Sequence, residues 1–278
     1  MKKILIPTDF SSDSYKCIEN VVQIFKNECC DFYFLNNYSF DAYSLNALEI
    51  IQERDEWFEK PKEKSQQQLG KMVAAFTSNS IEIKHRFHAI SECSDILNSV
   101  KSHVELLNID MVILSGGTKK QHSKINRKIL ENIRCCPILL IPPHSCSSKK
   151  IYLTVASDFK QEIKIDELEK FCEIFLITEV KATILVLDEK NKLSENVTSN
   201  IALFIKSFKK KLASPITVKY AKSCHQLESY ASSHMDEIMC LVDKKPGVLR
   251  KLGLLKSNLF FRLKKMGNNK ILTIHNDN

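Results

Sequence analysis

Two short apolar runs end in a carboxylate followed by phenylalanine: Ile4-Leu5-Ile6-Pro7-Thr8-Asp9-Phe10 and Leu153-Thr154-Val155-Ala156-Ser157-Asp158-Phe159, aligned at an offset of 149 residues. A carboxylate at the mouth of a strand can hydrogen-bond a sugar hydroxyl or orient a ligand. Its competing role is structural, because just before a helix Asp9 or Asp158 caps orphan N–H groups and stabilises by about 1 kcal/mol. A further strand, Met111-Val112-Ile113-Leu114, closes on Ser115-Gly116-Gly117. Glycines there let backbone N–H groups approach a phosphate, or they make a tight turn, and the turn is favoured. With only six glycines in the chain, a phosphate cradle has few other places to form.

Other chemistries find less support. The ten cysteines include no C-x-x-C pair, and neither Cys29-Cys30 nor Cys135-Cys136 is followed by metal-type histidine spacing. His85 and His88 belong on opposite faces of one strand and cannot surround one metal. No nucleophile-elbow motif and no paired carboxylates at strand ends mark a catalytic set, so neither a metal nor catalytic residues are expected.

Positioning these residues requires a repeated unit. In the first copy a helix over about 12–27 follows the opening strand, then a strand at 32–35 and an amphipathic stretch over about 45–77. The alternation Ile81, Ile83, His85, Phe87 predicts a strand. A helix over about 95–107, the Met111 strand, a helix near 124–134 and a strand at 137–141 complete it. The second copy gives strands at 184–187, 216–220, 238–242 and 271–274, with helices near 195–212, 225–234 and 257–266. Strict alternation of strand and helix demands parallel strands joined by crossovers. The stretch Pro142-Pro143-His144-Ser145-Cys146-Ser147-Ser148 reads as the linker.

Pro7-Thr8-Asp9-Phe10, the strand and glycine turn at Val112 to Gly117, and Cys136-Pro137-Ile138-Leu139-Leu140-Ile141 resemble the universal stress protein family. Ala156-Ser157-Asp158-Phe159, and Leu241-Val242-Asp243-Lys244-Lys245 with Lys256-Ser257, resemble the second unit of its tandem members. The resemblance implies an adenine nucleotide alpha hydrolase-like fold: α/β, two doubly wound five-stranded parallel sheets in the order 3-2-1-4-5. These would pair through their fifth strands as a pseudo-dimer with an approximate twofold axis, each keeping its own sheet. Domains are expected at 1–142 and 150–278. Strand order reverses between the first and fourth strands, where doubly wound sheets bind ligands.

The ATP-binding members carry a loop of the form G-x2-G-x9-G-[ST] after the fourth strand. Here Gly116-Gly117 is followed by a shorter segment with only Ser123 near the closing position, and the second unit has Lys256 where glycine belongs, keeping Ser257. Asn37 stands near the adenine position, where an apolar residue is usual. The expected nucleotide or anion site is therefore degenerate: Pro7, Thr8, Asp9, Asn37, Gly116, Gly117 and Ser123 in the first unit, Asp158, Lys256 and Ser257 in the second. No resident cofactor is expected, an adenine nucleotide being the candidate ligand.

Composition bounds the rest. With 278 residues, 44% hydrophobic and 27% charged, the chain is an ordinary globular one. No apolar run reaches the roughly 18 residues of a membrane span, and no signal peptide is recognisable. Cysteines without a signal peptide point to the cytoplasm and free thiols. Residues 1–142 hold 18 of the 41 basic and 18 of the 33 acidic side chains, so the net +8 lies wholly beyond them. Residues 244–270 carry nine basic and no acidic residues. That stretch could dock an anion or acidic partner; nucleic acid is disfavoured, since its aromatics Phe260 and Phe261 sit at core spacing. A homo-oligomer and a protein partner stay open. The expectation is a stress-response binding or regulatory module and not an enzyme, with weak nucleotide hydrolysis in the first unit as the alternative.

Overall fold

The structure, a computed structural model, describes residues 1–39, 55–79, 84–116, 120–145, 150–187, 194–212, 214–244 and 268–276. In the N-terminal half the order is β1 (Lys2–Pro7), α1 (Ser12–Ile24), β2 (Cys30–Asn37), α2 (Asp55–Asn79), β3 (Arg86–Glu92), α3 (Ile96–Leu107), β4 (Met111–Ser115), α4 (Lys120–Asn132) and β5 (Ile138–Ile141). The C-terminal half gives β6 (Ile151–Ser157), α5 (Asp166–Cys172), β7 (Val180–Leu187), α6 (Glu195–Lys209), β8 (Thr217–Ala221), α7 (Cys224–Ser233), β9 (Ile238–Lys244) and β10 (Lys270–Asn276). The helix expected near 257–266 lies outside the described residues. No described helix is long and apolar enough to cross a membrane.

The central strands are apolar on both sides because helices cover both faces. Ile4, Leu5 and Ile6 of β1 are buried, as are Val112 and Ile113 of β4. Helix α1 turns Cys17, Ile18, Val21 and Val22 inward at helical spacing. The strands run β3-β2-β1-β4-β5-β10-β9-β6-β7-β8. Each half is parallel throughout and follows the order 3-2-1-4-5, with β5 and β10 antiparallel at the junction.

The two halves therefore share one ten-stranded sheet instead of keeping separate sheets. Two apolar edge strands with unpaired backbone groups are a liability, and hydrogen-bonding them to each other removes both edges at once. On one face a single core runs through both halves, with Phe25 and Phe175 stacked at 4.9 Å across the boundary. On the other face the halves have separate cores, each touched by Leu140.

Some boundaries move. The third strand runs from Arg86 to Glu92, because it pairs with β2 in the register Asp31 to Arg86 through Asn37 to Glu92. His85 stands just before it, over the ring of Phe32, while His88 stacks on Tyr33 across the sheet. Residues 81–83 and 45–54 of the expected elements lie outside the described residues.

Candidate functional site

The carboxyl ends of β1, β2 and β4 open a crevice of about 170 Å³, lined by Pro7, Thr8, Asp9, Asn37 and Ser115 among its polar and backbone groups. Ile96, Leu114, Ile125 and Ile129 form its apolar wall. Four of the expected site residues, Pro7, Thr8, Asp9 and Asn37, thus meet in one place.

At the end of β1 the chain turns sharply: Phe10 adopts φ 60°, a left-handed conformation. Thr8 fixes the turn, its Oγ1 accepting from the Phe10 N–H at 3.2 Å and sharing a hydrogen bond with Ser14 Oγ at 3.1 Å. Asp9 does not cap α1. Ser11 does, accepting from the Ser14 N–H, and Asp9 Oδ1 accepts from both the N–H (3.0 Å) and the hydroxyl (2.6 Å) of Ser11. One residue of extra chain after Phe10 lets the shorter serine side chain reach the helix donors, so the carboxylate buttresses the cap from the crevice rim.

Two neighbouring asparagines close the β2 end. Asn36 donates to the Thr8 carbonyl (2.8 Å) and accepts from Ser65 (2.8 Å), tying β1 to α2. Asn37 donates to the Ser94 carbonyl (3.1 Å) and to Ser99 Oγ (2.6 Å). Ser99 donates onward to Glu92 (2.6 Å), whose other oxygen lies 2.7 Å from His103 Nε2. The Ser99 hydroxyl, and then His103, hold the Glu92 carboxyl below its usual range despite partial desolvation. The polar residue at the expected adenine position is therefore anchored by a network behind the crevice.

Gly116 donates to the Ile141 carbonyl at 2.9 Å, and a Cβ there would sit 3.3 Å from Pro142 N. Close approach of the two strand ends explains this glycine. Only residues 116–119 separate β4 from α4, too few to wrap a triphosphate with backbone donors. Ser123 is the fourth residue of α4, not the residue before it, because the helix starts at Lys120, earlier than the expected 124. Gly117, like Lys256 and Ser257, lies outside the described residues.

Sequence reasoning passed over Ser14, Asn36, Ile96, Leu114, Ser115, Ile125, Asn126 and Ile129 of the lining. The signal for three of them was present: Ile125 and Ile129 stand one helical turn apart just after β4, beside Asn126, which donates to the Ser115 carbonyl at 2.8 Å.

The second half repeats the turn and loses the crevice chemistry. Phe159 has φ 49°, and its N–H donates to Ser157 Oγ at 3.3 Å, matching Phe10 and Thr8. Asp158 does not cap a helix, because α5 starts only at Asp166 with Ile165 before it; Asp158 accepts from the Lys160 N–H at 3.3 Å. Strand registers make Val186 and Leu187 the equivalents of Asn36 and Asn37, Ala221 that of Glu92, and Asp243 that of Gly116. Asp243 is buried, and Arg134 from the other half reaches its Oδ2 at 2.9 Å. A carboxylate stands where the first half has a bare backbone.

Among the described residues no group of three or more His, Cys, Asp or Glu could hold a metal ion. No protein-family model matches the sequence, and no curated protein is significantly similar to it. Among solved structures, a universal stress protein from Archaeoglobus fulgidus is similar at 12% identity and TM-score 0.65, over 99% of this chain and 97% of that one. A Pseudomonas aeruginosa protein described as a universal stress protein is similar at 10% identity and TM-score 0.58, over 99% and 93%. A functionally unknown protein from the same species reaches 10% identity and TM-score 0.56, over 100% and 93%. From end to end, the chain has the α/β fold of the two universal stress proteins among these structures.

Proposed function

We propose that the chain is a stress-response binding module of the universal stress protein family, acting in the cytoplasm without catalysis. Its two domains, 1–142 and 150–278, differ in role: the first takes a small ring-bearing ligand such as an adenine-containing mononucleotide, and the second is a structural partner. The observation that carries this is the crevice itself, an apolar wall of Ile96, Leu114, Ile125 and Ile129 facing the polar end made by Thr8, Asp9 and Asn37. About 170 Å³ suits one ring system, since a cavity of roughly 150 Å³ already admits benzene. The short β4–α4 connection argues against a triphosphate, and the engagement of Asp9 by Ser11 argues against a free general base.

Calorimetry with adenine, AMP and ATP at low and physiological salt tests it. Adenine or AMP is expected to bind, with ATP no tighter than AMP. ATP binding at least about tenfold tighter than AMP, which is about 1.4 kcal/mol, would overturn the reading.

A further inference from the structure

Asn37 lines the crevice at the β2 end, and its neighbours fix which way its amide faces. The Ser94 carbonyl, which can only accept, lies 3.1 Å from Nδ2, and Ser99 Oγ lies 2.6 Å from the same nitrogen. Both amide hydrogens are thereby occupied at the connection between β3 and α3. The oxygen is not: Asn37 Oδ1 is buried and has no hydrogen-bond partner.

Such an atom calls for a cause, because a buried amide oxygen without a donor destabilises the fold and native structures hold few of them. The strand end does not demand it. Leu187 occupies the equivalent place in the second half and Ala221 that of Glu92, so the same fold closes there with apolar side chains. Nor do the neighbouring polar side chains of the lining share the feature. Thr8 accepts from the Phe10 N–H, Asp9 from Ser11, Asn36 donates to the Thr8 carbonyl and accepts from Ser65, and Asn126 donates to the Ser115 carbonyl. Of these five side chains, Asn37 is the one with a buried polar atom left without a partner. Around it, Ile96, Leu114, Ile125 and Ile129 suit the faces of a flat ring.

We propose that Asn37 is the specificity-determining residue of the crevice, and that its oxygen selects a heterocycle carrying an exocyclic amino group, as an aminopurine does. This rests on the reading of the crevice as a ring-binding site. The amino N–H of the ring donates to Oδ1 and satisfies it, while the ring lies against the apolar wall. A ring with hydrogen in that position leaves the oxygen as it was. A ring with a carbonyl there sets acceptor against acceptor, and the amide cannot turn over to answer it, since Oδ1 would then meet the Ser94 carbonyl. Ser94 and Ser99 are positioning residues, holding the amide in the sense that accepts.

Calorimetry on the full chain tests this with AMP, with purine riboside monophosphate, which has hydrogen in place of the amino group, and with inosine monophosphate, which has oxygen there. AMP is expected to bind at least about fivefold tighter than the hydrogen analogue, and the oxygen analogue no tighter than the hydrogen one. In Asn37→Leu, which copies the second half, the ratio of the AMP and hydrogen-analogue affinities should fall to about one. Ser99→Ala, which leaves the Ser94 carbonyl to orient the amide, should keep the ratio within about twofold of its original value. Because the ratio is read within one protein, a general loss of affinity from a loosened network cancels. Equal affinity of the unsubstituted chain for AMP and the hydrogen analogue overturns the proposal and leaves the crevice a ring site; failure of all three to bind removes that reading and the proposal with it. A preference that survives in Asn37→Leu, or that Ser99→Ala abolishes as completely, overturns the proposal as well.

Discussion

Leu139 and Leu272 face each other across the antiparallel junction, and each occupies the same place in its own half. The equivalence follows from register. Leu5 pairs with Val112 and Thr154 with Met239; Val112 then pairs with Ile138 and Met239 with Ile271, so Leu139 corresponds to Leu272. Their neighbours are exchanged, Ile138 opposite Thr273 and Leu140 opposite Ile271, as a twofold axis through the leucine pair requires. The same axis relates Phe25 to Phe175, whose rings stack with an interplanar angle of 12°.

Symmetry at the junction has an energetic consequence. Both leucines are fully buried in the core shared by the two halves. Leu139→Ala and Leu272→Ala are each expected to cost about 2–5 kcal/mol, and to agree with one another within about 1 kcal/mol. A double-mutant cycle on Phe25 and Phe175 should show a coupling of about 0.5–1.5 kcal/mol. Urea titrations of the single and double variants check both; a zero coupling energy means the ring contact contributes nothing beyond burial.

Glu28 makes a second bond between the halves. Its carboxylate, 3% exposed, accepts from the N–H groups of Leu176 (2.9 Å), Ile177 (3.2 and 3.3 Å) and Thr178 (2.9 Å). Glu28→Gln turns an amide donor toward those N–H groups and should cost about 2–3 kcal/mol. Amide exchange at 176–178 should rise with it. A stability loss spread evenly over the chain, with those amides still protected, would contradict a local clasp.

Much of the architecture was legible because it rests on pattern. The 149-residue offset between Asp9 and Asp158 announced the repeat and the apolar runs at 4–6, 111–114 and 138–141 the buried strands, whereas the strand order and the pairing of fifth strands were expected only from the family resemblance. The capping role of Ser11, not Asp9, was hidden because it depends on the left-handed turn at Phe10, a conformation no residue type announced. The contrast between Gly116 and Asp243 was equally hidden, since the partner that makes a buried carboxylate tolerable, Arg134, comes from the other half. In the crevice, the residues next to strand ends were visible, and those contributed by helices α3 and α4 became visible only once the crossovers were placed.

Stability should fall in mild acid, partly through His85. Burial lowers its pKa from 6.5 to about 4, so the folded state disfavours the imidazolium that the unfolded chain accepts. The unfolded state then binds more protons between these values, and stability rises with pH across that window. The contribution is complete above about 6.5 and lost as pH falls toward 4. His85→Phe should flatten that part of the curve. Chemical denaturation at a series of pH values measures it, and an unchanged slope in the variant removes His85 as the cause.

Arg134 and Asp243 supply the last test, because Asp243 stands at the strand end where the first half has Gly116. Both are largely buried, with 15% and 3% of their side chains exposed, and the guanidinium also donates to the Asp243 carbonyl at 3.2 Å. Arg134→Met takes a cation away from this buried carboxylate and is expected to cost up to about 3–5 kcal/mol. Replacing Asp243 as well, in Arg134→Met with Asp243→Leu, removes the buried carboxylate too and should recover at least about half of that loss. Calorimetry with AMP should meanwhile be unchanged in both variants, since neither side chain lines the crevice of the first half. Loss of AMP binding in the double variant, with its stability recovered, would move the ligand site from the first half's crevice to the junction of the halves.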